Sequence, residues 1–171
     1  MDRKFTRVGM LLMGLAVVSP ALAADKASAV LKDKDGKEVG KAELTDTPSG
    51  VLIHLDLTAV PPGDHGFHVH AVGKCDPPDF KSAGGHFNPD ATKHGLMSAE
   101  GPHAGDMPNL FVPESGKITI EVLAPVLTLK GEPALLDEDG SALVIHAGPD
   151  DYTSDPAGNA GGRIACGVIT E

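Results

Sequence analysis

Short runs in which apolar and polar residues alternate recur along this chain. Apolar residues occupy every second position from Val51 to Leu57, within a predicted strand at Val51–Thr58 that has one buried face. We predict the other strands at Ser28–Lys32, Glu38–Leu44, Gly66–Ala71, Lys117–Leu123, Leu127–Lys130, Ala142–His146 and Arg163–Thr170. No amphipathic helix longer than two turns is evident. About eight short strands predict an all-β, antiparallel sandwich or barrel.

Two segments break this pattern, one from Val72 to about Leu110 and the other at Ala147–Gly162. Both are rich in glycine, proline and aspartate and show no clear periodicity. Structureless loops longer than about 15 residues are uncommon in compact domains unless they are functional or disordered. The first segment contains Cys75 and three histidines, which a disulfide and a metal would order. We therefore expect two long functional loops.

The first 23 residues have the features of a secretory signal peptide. Three basic residues precede an apolar run, Val8–Val18, that is too short to span a bilayer comfortably, and Ala21-Leu22-Ala23 matches a cleavage site. We expect cleavage after Ala23, one mature domain at 24–171, and a periplasmic or secreted protein. No cysteine follows the apolar run, so the sequence predicts no membrane anchor.

The charge of the mature chain argues against some classes of partner. Removing the signal peptide takes away three of 14 basic residues and one of 24 acidic residues, which leaves 11 and 23 and a formal net charge of −12. Such a chain is not expected to bind nucleic acid or an anionic membrane surface. Arg163 is the only arginine that remains.

The two cysteines, Cys75 and Cys166, both lie in the exported part. In an oxidising compartment an even pair most simply forms one disulfide. The alternative is that the thiolates bind a metal, although no C-x-x-C motif is present.

Three histidines crowd into the stretch HGFHVH, His65–His70. Because side chains alternate between the two faces of a strand, His68 and His70 share one face and Phe67 and Val69 share the other. Two imidazoles on one face can hold a metal. His65 falls on the apolar face and resembles a core residue that needs a hydrogen-bond partner.

Further metal ligands occur in and beside the two loops. They are His86 in GGHFNP, His94 in KHG, His103 and Asp106 in GPHAGD, and His146 in VIHAGPDD.

The ligand types predict two metals. His94, His103 and Asp106 are nitrogen and oxygen donors that suit tetrahedral zinc, whereas the all-imidazole set of His68, His70 and His146 suits copper. Two four-coordinate sites need eight ligand positions, and seven residues are available. One imidazole with a metal on each ring nitrogen completes the count, and His86 stands between the two sets in sequence.

The chain resembles the copper–zinc superoxide dismutases of the exported bacterial kind. The matching stretches are HGFHVH, CDPPDF, SAGGHFNP, KHG, GPHAGDMPNL, VIHAGPDD and GNAGGRIACGVI, in the order of that family. The resemblance implies an eight-stranded Greek-key β-barrel with one copper and one zinc per chain outside the barrel wall. The implied copper ligands are His68, His70, His86 and His146, and the implied zinc ligands are His86, His94, His103 and Asp106.

The resemblance also implies roles for residues around the metals. Asp150 would link the copper ligand His68 to the zinc ligand His94, and His65 would hydrogen-bond to backbone near the site. A disulfide between Cys75 and Cys166 would pin the first loop to the last strand, and Arg163 would sit beside the copper opening.

The implied activity is the dismutation of superoxide to dioxygen and hydrogen peroxide, an antioxidant defence outside the cytoplasm. Copper would carry the electron, His86 would move a proton, and Arg163 would hydrogen-bond the anion. Members of the family often use lysines in the second loop to attract superoxide, but Ala147–Gly162 contains none. We expect Lys74, Lys81 or Lys93 to take that role.

Three other functions are compatible with parts of the pattern. A metal-delivery module on the same fold would lack a copper ligand or the arginine, and a copper-only dismutase would lack the zinc ligands. A blue-copper electron carrier needs a cysteine ligand with an axial methionine. The sequence leaves open whether the chain is a monomer or a homodimer.

Overall fold

The structure, a computed structural model, describes residues 25–171, and the predicted signal peptide lies outside these residues. The strands are β1 (Lys26–Asp33), β2 (Glu38–Thr47), β3 (Gly50–Leu57), β4 (Gly63–His65), β5 (Phe67–His70), β6 (Leu110–Val112), β7 (Ile118–Ala124), β8 (Ala142–His146) and β9 (Arg163–Val168). Within the described residues, no helix is long and apolar enough to cross a membrane.

Seven strands form one antiparallel sheet in the order β5-β8-β9-β1-β2-β3-β7, and β4 pairs with β6 in a second, two-stranded ladder. Strands that are distant in sequence lie side by side, such as β1 with β9 and β5 with β8. A single residue, Gly66, separates β4 from β5. The predicted all-β antiparallel fold is confirmed.

The alternating pattern of β3 buries one face of that strand. Val51, Ile53, Leu55 and Leu57 are fully buried, and they belong to one continuous apolar core that includes Phe67 and Val69 of β5. Since each buried aliphatic or aromatic side chain contributes about 1.5–3 kcal/mol, this core provides most of the drive to fold. It gives His68 and His70, which alternate with Phe67 and Val69 along β5, a rigid support.

One predicted strand is wrong. Leu127–Lys130 is not a strand but an irregular segment that follows the turn at Pro125–Val126, with a single bridge between Thr128 and Ala134. Leu127 and Leu129 are buried as a strand pattern would require, but prolines and a glycine flank the segment on both sides. The side chain of Asp46 accepts a hydrogen bond from the Leu129 amide at 2.9 Å, which replaces a strand partner.

Two short strands, β4 and β6, were not predicted, because three residues are too few to show a period. A β-hairpin joins β1 to β2 through the turn that contains Asp35-Gly36, and Gly36 adopts a positive φ of 79° that favours glycine there.

The two predicted loops are present and well connected to the sheet. The first loop, 71–109, contains only one short 3₁₀ turn (Lys81–Ala83), and the second loop spans 147–162. Backbone bridges place His86 opposite His70 and Asp106 opposite His68. The first loop therefore folds back along β5 and brings its ligands to the histidines of that strand.

A disulfide joins the first loop to β9. Cys75 and Cys166 are bonded at 2.02 Å across a separation of 91 residues, and no cysteine of the described chain is free. The disulfide predicted from the sequence is thus present, and metal binding by the thiolates is ruled out in this state.

We predict that replacing both Cys75 and Cys166 with serine lowers the free energy of unfolding by about 2–5 kcal/mol, because the unfolded chain regains the entropy of an open loop. Denaturant unfolding of the variant and the parent, under identical metal loading, measures this loss. If alkylation of the untreated parent labels both thiols, no disulfide exists in solution and the predicted loss has no cause.

Candidate metal centre

Strand β5 presents two imidazoles on the face opposite the core. Phe67 and Val69 point into the apolar core, and His68 and His70 point away from it into a second group of buried residues. Gly66 makes this arrangement feasible, because a Cβ at that position would lie only 2.9 Å from the Ala160 side chain and 3.2 Å from the His68 ring.

Four side chains of the first loop form one compact group: His86, His94, His103 and Asp106. The Oδ1 atom of Asp106 lies 2.9 Å from His86 Nδ1, 3.1 Å from His94 Nδ1 and 3.4 Å from His103 Nδ1. His86 Nδ1 and His103 Nδ1 are 3.3 Å apart.

These spacings fit a bound metal. Ligand atoms placed at about 2.0 Å around a tetrahedral zinc lie about 3.3 Å from one another. His94 Nδ1 lies close to Asp106 Oδ1 but makes no hydrogen bond at all, although it is buried. The other oxygen of Asp106 accepts hydrogen bonds from the backbone amides of Gly95 and His103, which fixes the carboxylate in place.

A second group consists of four imidazoles: His68, His70, His86 and His146. Their ligand atoms lie within 4.8 Å of one another, and His70 Nε2 is 3.4 Å from His146 Nε2. His70 Nδ1 lies 3.0 Å from the Gly84 carbonyl and can donate a hydrogen bond to it. The other ring nitrogen of His70, Nε2, therefore faces the other three imidazoles. An all-imidazole set of this kind suits copper.

His86 belongs to both groups. Its Nδ1 faces Asp106 and His103, and its buried Nε2 has no hydrogen-bond partner. A buried polar atom without a partner costs about 1–3 kcal/mol, so this nitrogen needs a ligand that the protein does not supply. The ring thus has one nitrogen available to each group.

Asp150 connects the two groups from outside. Its Oδ2 lies 2.7 Å from His68 Nε2 and its Oδ1 lies 3.0 Å from His94 Nε2. Each ring therefore donates its Nε2 hydrogen to the carboxylate and turns its Nδ1 toward the adjoining metal group, as a carboxylate behind a metal-bound histidine does. Asp150 is itself buried and belongs to neither of the two four-residue groups, although its carboxylate forms a third, smaller cluster of possible ligand atoms with His68 and His94.

Two residues that sequence reasoning missed hold Asp150. Asn109 accepts a hydrogen bond from the Asp150 amide at 2.8 Å and donates one to its carbonyl at 2.9 Å. The Tyr152 amide donates to Asp150 Oδ1 at 2.6 Å, and the Tyr152 hydroxyl accepts from the Asn109 amide at 2.7 Å. Asn109 lies within the quoted stretch GPHAGDMPNL, and Tyr152 is the only tyrosine of the chain.

Gly158 of the second loop is a third missed residue. Its φ of 62° favours glycine, and a Cβ there would overlap Asp150 Oδ1 and lie 2.7 Å from His94 Nε2. The loop can therefore cover this pair only with a glycine at that position.

The protonation states suit metal binding, which requires neutral imidazoles and ionised carboxylates. Burial lowers the pKa of His70 to about 2 and that of His146 to about 3, and it also lowers the pKa of His68. Burial alone would raise the pKa of Asp150, but hydrogen bonds from His68 and His94 lower it to about 2.

Arg163 lines the same cavity as His70 and His146. Its Nη1 donates to the Phe80 carbonyl at 2.6 Å and its Nη2 donates to the Gly84 carbonyl at 2.5 Å. Both carbonyls belong to the part of the first loop that follows Cys75. The disulfide and the guanidinium therefore hold the same segment against β9.

His65 of β4 is buried and contacts backbone only. Its ring nitrogens lie 2.7 Å from the His146 carbonyl and 2.8 Å from the Pro61 carbonyl. It joins neither metal group. The hydrogen bond to backbone near the site, which the resemblance implied, is present.

Comparison with known proteins agrees with this geometry. The family profile described as copper/zinc superoxide dismutase (SODC) matches residues 38–169. The chain is 57% identical over 147 residues to the protein named Superoxide dismutase [Cu-Zn] 1 of Aquifex aeolicus, with 84% of this chain and 87% of that protein covered.

Solved structures show the same fold. A SOD-like protein from Bacillus subtilis superposes with a TM-score of 0.80 at 43% identity and covers 82% of this chain and 96% of its own. The Cu/Zn superoxide dismutase from Brucella abortus superposes with a TM-score of 0.71 at 32% identity and covers 85% of this chain and 99% of its own. Since the family match spans every residue of the two metal groups, this chain belongs to the copper/zinc superoxide dismutase family.

Proposed function

We propose that this chain dismutes superoxide at a copper held by His68, His70, His86 and His146, next to a zinc held by His86, His94, His103 and Asp106. The observation that carries this assignment is the position of His86, whose Nδ1 lies in one group and whose unpartnered Nε2 lies in the other. The two remaining unpartnered nitrogens support it, because His68 Nδ1 faces the copper group and His94 Nδ1 the zinc group.

As a member of this family, the chain is an oxidoreductase that converts superoxide to dioxygen and hydrogen peroxide and uses copper and zinc as cofactors. Copper supplies the one-electron redox change that the reaction needs, and zinc has no accessible redox change.

The protein's own residues supply the proton and the position of the substrate. His86 Nε2 is the atom that we assign to proton uptake and release, while its Nδ1 stays among the zinc-binding atoms. Asp150 keeps the rings of His68 and His94 oriented during this exchange, since it accepts a hydrogen bond from each.

Arg163 is assigned to the anion. Two of its five N–H donors are used by the Phe80 and Gly84 carbonyls, which leaves donors for superoxide in the shared cavity. The guanidinium stays charged at any physiological pH, so it attracts the anion in each cycle.

We also propose that residues 1–23 direct export and that the working enzyme is residues 24–171 in the periplasm or medium. The disulfide supports an oxidising compartment. Mass spectrometry of the exported protein should give a first residue of Ala24. A cytoplasmic, unprocessed chain would contradict this location.

The main experiment is superoxide consumption by the metal-loaded mature protein. We expect rapid consumption that stops when a copper chelator removes the metal and returns when copper is added back. A metal-loaded protein that consumes no superoxide would contradict the proposed function.

We predict that His86→Ala and His94→Ala differ in metal content. Because His86 contributes to both groups, its replacement should lower bound copper and zinc, whereas His94→Ala should mainly lower zinc. Elemental analysis after identical loading measures both metals, and His54→Ala, an exposed histidine on β3, serves as the control. A His86 variant with full copper and zinc and normal turnover would exclude the bridging role.

We predict that the catalytic rate falls as ionic strength rises, because at least one of Lys74, Lys81 and Lys93 attracts the anion and salt screens charges over about 8–10 Å. Lys81 is paired with Asp79 at 2.7 Å and Lys93 with Asp155 at 2.9 Å, whereas Lys74 makes no ion pair within residues 25–171. Single glutamine variants should identify the lysine by a lower rate and a flatter salt dependence at unchanged copper content. A rate that rises with salt in the parent would show that net repulsion dominates.

A further inference from the structure

The cavity that contains the proposed copper ligands His70 and His146 has two side chains in its lining that are charged at neutral pH. Arg163 is the cation and Asp155 of the second loop is the anion, and the other lining residues of the described chain are neutral or histidine. A carboxylate beside a site that receives an anion is unfavourable for substrate binding. Its presence there requires an explanation.

Asp155 has two polar partners, both in the first loop. Its Oδ2 lies 2.9 Å from Lys93 Nζ and its Oδ1 accepts a hydrogen bond from the His94 amide at 3.1 Å. The carboxylate and the ammonium group form a direct ion pair at the protein surface. Asp155 therefore joins the two loops and also offsets the charge of a lysine near the metal sites.

We propose that Asp155 limits the rate at which superoxide reaches the metal cavity, because it adds a negative charge to the cavity wall and neutralises Lys93. This inference rests on the proposed function of the cavity. It goes further by naming a residue of this chain that works against the substrate.

The contact between the loops does not require the charge of Asp155. An asparagine at this position retains an Oδ1 atom that can accept the hydrogen bond from the His94 amide, and only the ion pair with Lys93 is lost. The structural and electrostatic effects of Asp155 can therefore be separated by comparing asparagine, alanine and glutamate at the same position.

The first measurement is the second-order rate of superoxide consumption as a function of ionic strength. We expect Asp155→Asn to raise the rate about twofold at low salt. This is the effect of removing one unit charge roughly 10 Å from a singly charged anion in a water-like dielectric. The gain should disappear at high salt, because salt screens the charge. Asp155→Glu, which keeps the charge, should retain the parent rate.

The matched control is Asp25→Asn. It removes the same charge from another exposed aspartate–lysine pair, Asp25 with Lys130 at 3.5 Å, which does not line the cavity. It therefore reports the effect of net charge alone, and we expect a rate change well below that of Asp155→Asn.

A second measurement does not depend on the metals. Since Arg163 is the only arginine of residues 24–171, phenylglyoxal labelling of the metal-free mature protein reports on one site. Inorganic phosphate carries between one and two negative charges near neutral pH, so it should protect Arg163 in Asp155→Asn at about one half to one quarter of the concentration that it needs in the parent. Zinc retention against a chelator should be unchanged in Asp155→Asn and reduced in Asp155→Ala.

The outcomes separate this inference from the proposed function. A parent protein that consumes no superoxide contradicts the function, whereas the phosphate titration still tests the charge at Asp155. If Asp155→Asn retains zinc but shows neither a faster rate nor stronger phosphate protection, the inference is wrong. A gain equal to that of Asp25→Asn would also overturn it, because net charge would then explain the effect.

Discussion

The structure depends on how the buried nitrogen atoms of its histidines are satisfied. Six histidines and two aspartates lie buried together beside β5, where unpaired polar atoms are costly. Asp150 accepts a hydrogen bond from one ring nitrogen of His68 and from one of His94. The Gly84 carbonyl accepts one from a ring nitrogen of His70. The nitrogens that remain converge on two points, which are the points where we propose that copper and zinc bind.

The barrel and the loops have different parts in meeting this requirement. The core of the sheet fixes the spacing of His68, His70 and His146, because these residues sit on the paired strands β5 and β8. The loops bring the other ligands from residues far away in sequence. Their own backbone lacks regular pairing, and the disulfide, the two carbonyl contacts of Arg163 and the hydrogen bonds around Asp150 provide alternative restraints. Metal binding at the proposed sites would therefore stabilise the loops, and ordered loops would favour metal binding.

Charge is distributed unevenly with respect to this centre. The mature chain carries many more acidic than basic residues, yet the cavity wall has one cation and one anion. A local arrangement of this kind can govern the approach of a small anion more strongly than distant charges do, because salt screens the latter. The second loop has no lysine, and Asp155 is the one charged residue of this loop in the cavity wall.

The sequence by itself determined the fold class and the chemistry of the site. The two-residue period of 67–70 separates core from ligand side chains whatever the fold around it, and imidazole and carboxylate groups carry their metal preference with them. Only the tertiary structure decided which nitrogen of each histidine faces a metal group, since that depends on where Asp150 and the Gly84 carbonyl lie. The same holds for Asn109 and Asp155, whose hydrogen-bond partners are 41 to 62 residues away, and for Gly158, which close packing against Asp150 and His94 requires. The segment 127–130 shows the opposite limit of sequence-based prediction. Buried leucines at alternate positions give the same sequence pattern in a strand and in an irregular segment, and only the absence of a neighbouring strand tells them apart.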